Sequence, residues 1–201
     1  MPPDPLVLGF DTSAAHCAAA LLRGPKILAM RQEDMAKGQA ERLMPLLEEV
    51  LAEGGARWRD LAAIGVGTGP GNFTGIRISV SAARGLALAL GIPAIGVSGF
   101  ETLTCNRAGP FMAVVAAPRQ MVFTQLRDVE PGAPQIVPEA VLANLGMPIR
   151  RLSDLAPARQ AVRIAEIAGQ RYHDPQARPA PLYVRAPDAA PPRDPAPVLL
   201  P

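Results

Sequence analysis

Two short segments hold the side chains that could do chemistry. The apolar run at residues 6–10 ends at Asp11, Thr12 and Ser13, placing an acid and two hydroxyls where a strand passes into a turn. An acid in that place can orient metal-bound water, and the N–H groups and hydroxyls of the turn can cradle an anion. The second segment, Thr68-Gly69-Pro70-Gly71-Asn72, is a glycine-rich turn running into a long helical pattern. Such a turn aims backbone N–H groups along the start of the helix, a generic anion site. It is not a Walker A loop, which needs Lys followed by Ser or Thr, and it does not match G-x-G-x-x-G in register. A tight strand-to-helix turn capped by Asn72 accounts for the same residues equally well. Asp11, Thr12, Ser13, Gly69, Gly71 and Asn72 are thus the candidate nucleotide or phosphate ligands; none is singled out as catalytic or metal-binding.

These segments need a sheet to position them. Residues 6–10, 18–22 and 26–31, joined by tight connections, predict an antiparallel meander. Alanine is a poor strand former, so the second strand must lean on its neighbours. Over Gln39–Glu53, Leu43, Leu46, Leu47, Val50 and Leu51 recur at i, i+3, i+4, i+7 and i+8, one face of a helix. Pro45 should kink or delay that helix, and Gly54-Gly55 end it. Residues 61–67 and Ala94–Val97 read as buried strands, and Phe73–Leu90 as a helix stopped by Gly91 and Pro93. Within it Gly75, Ser79, Ala83 and Ala87 form a small-residue stripe, suited to packing on the chain's own sheet or to a partner helix. Ser98 and Glu101 have capping-box spacing, predicting a further helix. A boundary near residues 106–110 divides a lobe of residues 1–105 from a smaller one of residues 106–201. The second lobe holds a hairpin (111–116 with Met121–Arg127) and a loop-rich stretch over 128–160. Weak helical character follows over 159–171, then a strand-like 181–185 and a proline-crowded tail over 188–201, read as extended or mobile.

The chain has 201 residues, 49% hydrophobic and 19% charged, which favours packed lobes over disorder. Twenty basic against eighteen acidic residues leave a net charge of +2, without the basic stripe of a dedicated nucleic-acid binder. Cys17, Cys105, His16 and His173 match no zinc-ligand spacing, and both thiols are expected to be buried and reduced. The N-terminus lacks the features of a secretory signal, and no segment approaches the ~20 apolar residues that span a bilayer, so the chain reads as cytoplasmic.

The acid–hydroxyl turn on the first strand of a meander resembles the phosphate-binding turn of the actin, Hsp70 and sugar-kinase superfamily. That superfamily clamps phosphate from two sides, with a second acid-plus-glycine hairpin. Here Asp128, Asp154, Asp174, Asp188 and Asp194 are each followed by Val, Leu, Pro or Ala, and none has Gly or Ser two positions on. With one jaw missing, autonomous ATP hydrolysis is not expected.

A narrower resemblance is carried by GPGNFTGIRISVSAARGLALALGIPAIGVSGFETL, with DTS upstream and LMPLLEEVL between them. In order and spacing this is similar to the TsaB (YeaZ) family, whose pattern is D-T-S, a helix with L-L-P, G-P-G-S-F-T-G-x-R, a G-L-A helix, then G-I-P and V-S. Asn72 replaces the usual Ser, and PLYVR resembles the family's closing strand. The likeness is strong over residues 6–104 and patchy beyond. Where the family often has Asp-Ala-Arg, this chain has Ala116-Ala117-Pro118-Arg119 and lacks the acid.

The resemblance implies an α/β fold, a reduced actin-like ATPase (ribonuclease H-like) of two lobes, the second small and degenerate. It implies a non-catalytic scaffold that pairs with a TsaD-like transferase, joined by a TsaE-like ATPase, for N6-threonylcarbamoylation of adenosine 37 in tRNAs reading codons that begin with A. A homodimer is expected when the partner is absent, tRNA is met only through the complex, and no membrane is involved. The chain needs no cofactor of its own; ATP or ADP and magnesium belong to the assembled complex. The pairing surface is expected on the first two helices, through Leu43, Leu47, Val50, Gly75, Ser79, Ala83 and Ala87, with Ala83→Arg breaking the pairing yet leaving the monomer folded. Two other readings stand: a stand-alone nucleotide phosphohydrolase or kinase, and direct tRNA capture through Arg150, Arg151, Arg159 and Arg163. A peptidase finds no H-E-x-x-H, no G-x-S-x-G and no Cys/His pair in support.

Overall fold

The computed structural model describes residues 4–104, 109–175 and 177–184. The meander forms as β1 (Leu6–Asp11), β2 (His16–Arg23) and β3 (Lys26–Asp34), all antiparallel. Helix α1 (Gln39–Glu53) carries the chain back so that β4 (Ala63–Gly67) pairs parallel to β1. Helix α2 (Phe73–Leu90) does the same for β5 (Ala94–Val97), giving the order β3-β2-β1-β4-β5. Every residue of β1 and β4 is buried, as is all of β2 but its last residue. Strands covered on both faces show unbroken apolar runs rather than alternation.

One cover is the expected pair of helices. Leu43, Leu46, Leu47 and Val50 of α1, with Ile76, Val80 and Ala83 of α2, pack with Leu8, Phe10, Leu21, Ile64 and Val66. The helix α1 runs through Pro45 unbroken. Proline removes one backbone bond, but Pro45 lies on the exposed side, and the buried leucines hold both halves to the sheet.

The other cover comes from far along the chain. Helix α3 (Pro157–Arg171) lies across the opposite face, packing Ala161, Val162, Ile164, Ala165 and Ala168 against Val7, Ala18, Ala20, Ala63 and Ile95. Residues 157–171 thus share the core of the first lobe, a correction to the boundary drawn at 105. Small residues make this approach feasible. A Cβ on Gly9 would stand 2.5 Å from the Ala161 carbonyl oxygen, and one on Gly65 would stand 2.8 Å from that of Ile164. The alanines of β2, weak strand formers, keep the sheet thin under its helices.

The second sheet holds β6 (Phe111–Ala117), β7 (Met121–Arg127), β8 (Gln135–Pro138) and β9 (Ile149–Arg151), in the order β8-β7-β6-β9. The predicted hairpin is β6–β7, and the loop-rich stretch supplies the two short strands at its sides. The capping box at Ser98 and Glu101 forms, but only a three-residue 3-10 turn, Glu101–Leu103, follows it. Thr102 Oγ1 donates to the Gly99 carbonyl (2.7 Å) and Thr104 Oγ1 to that of Glu101 (2.5 Å), local bonds that compete with a longer helix. Residues 181–184 are not a strand, although the Leu182 N–H donates to the Thr68 carbonyl at 2.8 Å. Cys105, Arg185 and residues 188–201 lie outside the described residues.

Candidate functional site

The two chemistry-bearing segments meet where β1 ends and α2 begins. Asp11 is wholly buried. Its Oδ2 accepts from the Ser13 N–H (3.0 Å) and the Ser13 hydroxyl (2.8 Å), and lies 2.8 Å from His16 Nε2. Its Oδ1 is buried without a partner among the described residues and is pressed against Gly67, where a Cβ would overlap it. Thr12 Oγ1 donates to the Gly75 carbonyl at 2.6 Å, and the Asn72 N–H donates to the Ser13 carbonyl at 2.6 Å. Asn72 Oδ1 accepts from the Gly75 N–H at 2.9 Å, the N-cap bond of α2. A Cβ on Gly71 would overlap the Ser13 carbonyl oxygen, and one on Gly75 that of Thr12. These glycines bring backbone against backbone.

Of the six residues read as phosphate ligands, Asp11 has one carboxylate oxygen bonded inside the chain and the other buried, Thr12 donates to the Gly75 carbonyl, and Gly69 is buried beside Ile76. Ser13, Gly71 and Asn72 border a cleft between the lobes with a volume of about 450 Å³. Its other walls are Ala116, Ala117, Pro118 and Phe123 of the hairpin, and Leu152, Leu155 and Gln160 around the start of α3. The segment that lacks the family's acid is therefore one wall of this cleft. No Lys, Arg, Asp or Glu among the described residues lines it. Among the described residues no three His, Cys, Asp or Glu side chains converge as a metal-binding group. Burial, with Glu33 and Asp11 nearby, pushes the Cys17 thiol up to about 11, away from thiolate chemistry.

Two residues at the cleft escaped sequence reasoning. His16 carried a signal: a strand starting five residues after Asp11 across a tight turn returns its first side chain to that acid. Gln160 carried none, because its place depends on α3 crossing to the first sheet. Of the arginines weighed for tRNA, Arg159 is exposed and the other three have partners within the chain. Arg150 donates to the Leu103 carbonyl and covers the Phe111 ring, Arg151 pairs with Glu139, and Arg163 pairs with Glu166.

The helix residues expected to meet a partner need correction. Leu43, Leu47, Val50, Gly75, Ser79 and Ala83 point into the chain's own core, and Ala87 is half-buried. They lie on the sheet side because the apolar stripe of α1 and the first of two small-residue stripes on α2 are what cover β1 and β4. Ala83→Arg would set a cation in a position with no exposure, so the expectation of a folded monomer fails. The outward stripe of α2 is instead Ser81, Gly85 and Ala89, beside Leu88, which is 86% exposed. On α1 the outward residues are Ala40, Glu41, Met44, Pro45 and Glu48. Helix α2 has a mean hydropathy of 1.2 and, by length and composition alone, could cross a membrane, which amends the expectation that no segment could; only 28% of it is buried in the fold.

Comparison with known proteins gives a consistent outcome. The family model described as TsaD: tRNA N6-adenosine threonylcarbamoyltransferase matches residues 31–172. An uncharacterized protein of Mycobacterium tuberculosis is 31% identical over 198 residues, spanning 92% of this chain and 94% of the relative. The tRNA threonylcarbamoyladenosine biosynthesis protein TsaB of Bacillus subtilis is 35% identical over 66% of this chain and 60% of its own length. The TsaB protein of Escherichia coli is 35% identical over 48% of this chain and 42% of its own length, so these two matches take in about half of each TsaB. Among solved structures, YeaZ from Pseudomonas aeruginosa superposes with a TM-score of 0.72 at 25% identity, covering 89% of this chain and 99% of that one. The α/β arrangement of two lobes is thus the reduced actin-like fold that the resemblance implied, and the chain belongs to the TsaB (YeaZ) family, within the wider family that the TsaD model describes.

Proposed function

We propose that this chain serves tRNA threonylcarbamoylation as a structural subunit, docking on a TsaD-like transferase through the outward faces of α1 and α2. One observation carries the reading. The helix α2 is mostly apolar, with Arg77 and Arg84 its charged residues, yet only 28% of it is buried and Leu88 is 86% exposed, and an apolar surface left open on a folded chain suits a partner. Ser81, Gly85 and Ala89, four residues apart, let a second helix approach closely. Arg42 donates to Glu33 and Glu49 at 2.5–2.8 Å, which draws Arg42 and Glu49 toward β3 and leaves Met44 outward beside Glu41 and Glu48. A second copy takes the same surface when the transferase is absent, and a TsaE-like ATPase joins the assembled pair. The internal bonds of Asp11 and Thr12 support a role without phosphoryl transfer.

The test is Gly85→Arg. A Cβ at Gly85 would meet open space, so the monomer keeps its fold by circular dichroism. Co-purification with the host's TsaD homologue is expected to fall at least about tenfold, the loss that 1.4 kcal/mol of unmade packing brings. Undiminished complex formation, or brisk ATP turnover by the isolated chain with magnesium, counts against the proposal.

A further inference from the structure

The face formed by α1 and α2 carries four charges that the fold leaves unmatched. Elsewhere on α1 the charges are paired: Arg42 with Glu33 and Glu49, and Glu49 and Glu53 with Arg31 of β3. Glu41 and Glu48 are exposed, and neither has an ion pair among the described residues. Arg77 and Arg84, the charged residues of α2, are exposed too, and neither has a carboxylate partner among the described residues. Arg77 is held in place: its Nε donates to the Tyr183 hydroxyl (2.9 Å), and its guanidinium lies 3.8 Å from the centre of the Phe73 ring. Each pair is seven residues apart, two turns or roughly 10 Å along a helix. The two helices run in the same direction, since each returns the chain to a parallel strand. Their starts border one groove, at Lys37, Glu41, Asn72, Thr74 and Ile78. Glu41 therefore stands near the level of Arg77, and Glu48 near that of Arg84.

We propose that Glu41, Glu48, Arg77 and Arg84 decide which partner helices this face accepts, and in which direction. The proposal rests on the reading of α1 and α2 as the docking face and adds what selects its occupant. That occupant is a second copy of the chain, because the face is complementary to itself in one orientation. An isologous interface has two operators open to it. With the two-fold axis along the helices, each α1 lies on the α2 of the other copy, and acids meet arginines at both levels. With the axis across the helices, α1 lies reversed on α1 and α2 on α2, so Glu41 meets Glu48 and Arg77 meets Arg84. Exposed ion pairs add little affinity, whereas like charges pressed together on a desolvated surface strongly disfavour a complex. The four charges thus act by exclusion, and the exposed Met44 and Leu88 beside them supply apolar contact.

The experiment measures self-association of the full chain by sedimentation equilibrium for the unsubstituted protein, Glu48→Arg, Arg84→Glu and an equal mixture of the two variants. Both positions are exposed, so circular dichroism is expected to show folded chains throughout. Each variant alone should associate more weakly by about tenfold or more, because the altered position now meets its like. The mixture should return to within about threefold of the unsubstituted affinity, since every contact again joins opposite charges. Variants that associate more tightly than the unsubstituted chain would establish the reversed orientation and overturn the proposal. So would affinities indifferent to both substitutions, a mixture no tighter than its components, or an unsubstituted chain that stays monomeric. Gly85→Arg tells this failure from that of the docking reading. If it abolishes association while the charge variants leave it unchanged, the charge assignment fails and the docking face stands. If association survives Gly85→Arg in full, the face itself is wrong.

Discussion

At the scale of the residue, glycine carries two unrelated messages that look alike in a sequence. The turn at Gly69–Asn72 is legible as a strand-to-helix junction, and Asn72 as its cap, from residue types alone. Whether the missing Cβ atoms make room for an anion or for the chain itself is not legible, because both needs select glycine. The structure gives the second answer at Gly71 and Gly75, each against a carbonyl of the β1 end. Gly85 sits in the same helix with nothing near it. Opposite effects follow from the same substitution. Gly75→Ala should destabilise the chain by about 1–3 kcal/mol through overlap with Thr12. Gly85→Ala should stabilise it by up to about 1 kcal/mol through helix propensity. Urea denaturation monitored by circular dichroism reads both, and equal signs would contradict the geometry. Asp11 teaches a related lesson: an acid closing a strand looks available, and only its burial beside Ser13 and His16 shows otherwise.

At the scale of the element, α2 holds two small-residue stripes a half-turn apart. Residues 75, 79 and 83 face the sheet, 87 is half-buried, and 81, 85 and 89 face out. The spacing of small residues does not say which stripe faces inward; that is fixed by Ile76 and Val80, whose bulk belongs with the core beside the first stripe. The link between the 3-10 turn at Glu101 and the end of α3 is likewise invisible in sequence, since it joins residues seventy apart. Burial alone would raise the Glu101 carboxyl, but bonds from the Ser98 N–H, the Arg171 guanidinium and the Ser98 hydroxyl outweigh it and hold it below the usual carboxylate range. A carboxyl lowered by folding contributes stability that is complete above its unfolded value. That contribution disappears as pH falls through the folded value. Glu101→Gln should therefore cost about 1.5–3 kcal/mol at neutral pH, a gap that closes below about pH 4. Denaturation midpoints across that range check it, and a gap that stays constant would exclude an ionised Glu101 as the origin.

At the scale of the whole molecule, the family pattern draws attention to residues 6–104, and the strands of the first sheet and the two helices of one layer follow from that stretch. The other layer did not follow. Alanines and glycines make α3 and its docking face look weakly patterned, because close packing of small residues replaces the leucine stripe that periodicity detects. Val162, Ile164 and Ile167 alone bury enough to stabilise by about 1.5–3 kcal/mol each. A chain ending at Ala156 should thus lose its cooperative unfolding transition and bind a hydrophobic dye, although the whole meander is present. A sharp transition near that of the full chain would show that α3 is dispensable.

The crossing of α3 also sets an order of events during synthesis. Gly9 leaves the ribosome some 150 residues before the Ala161 carbonyl that covers it, roughly 8–30 s at ordinary elongation rates. For that interval one side of the newborn sheet has α1 and α2 but nothing on its reverse. The sheet face that α3 covers is therefore open to misassociation only before residue 171 emerges, on a surface that the folded protein does not display.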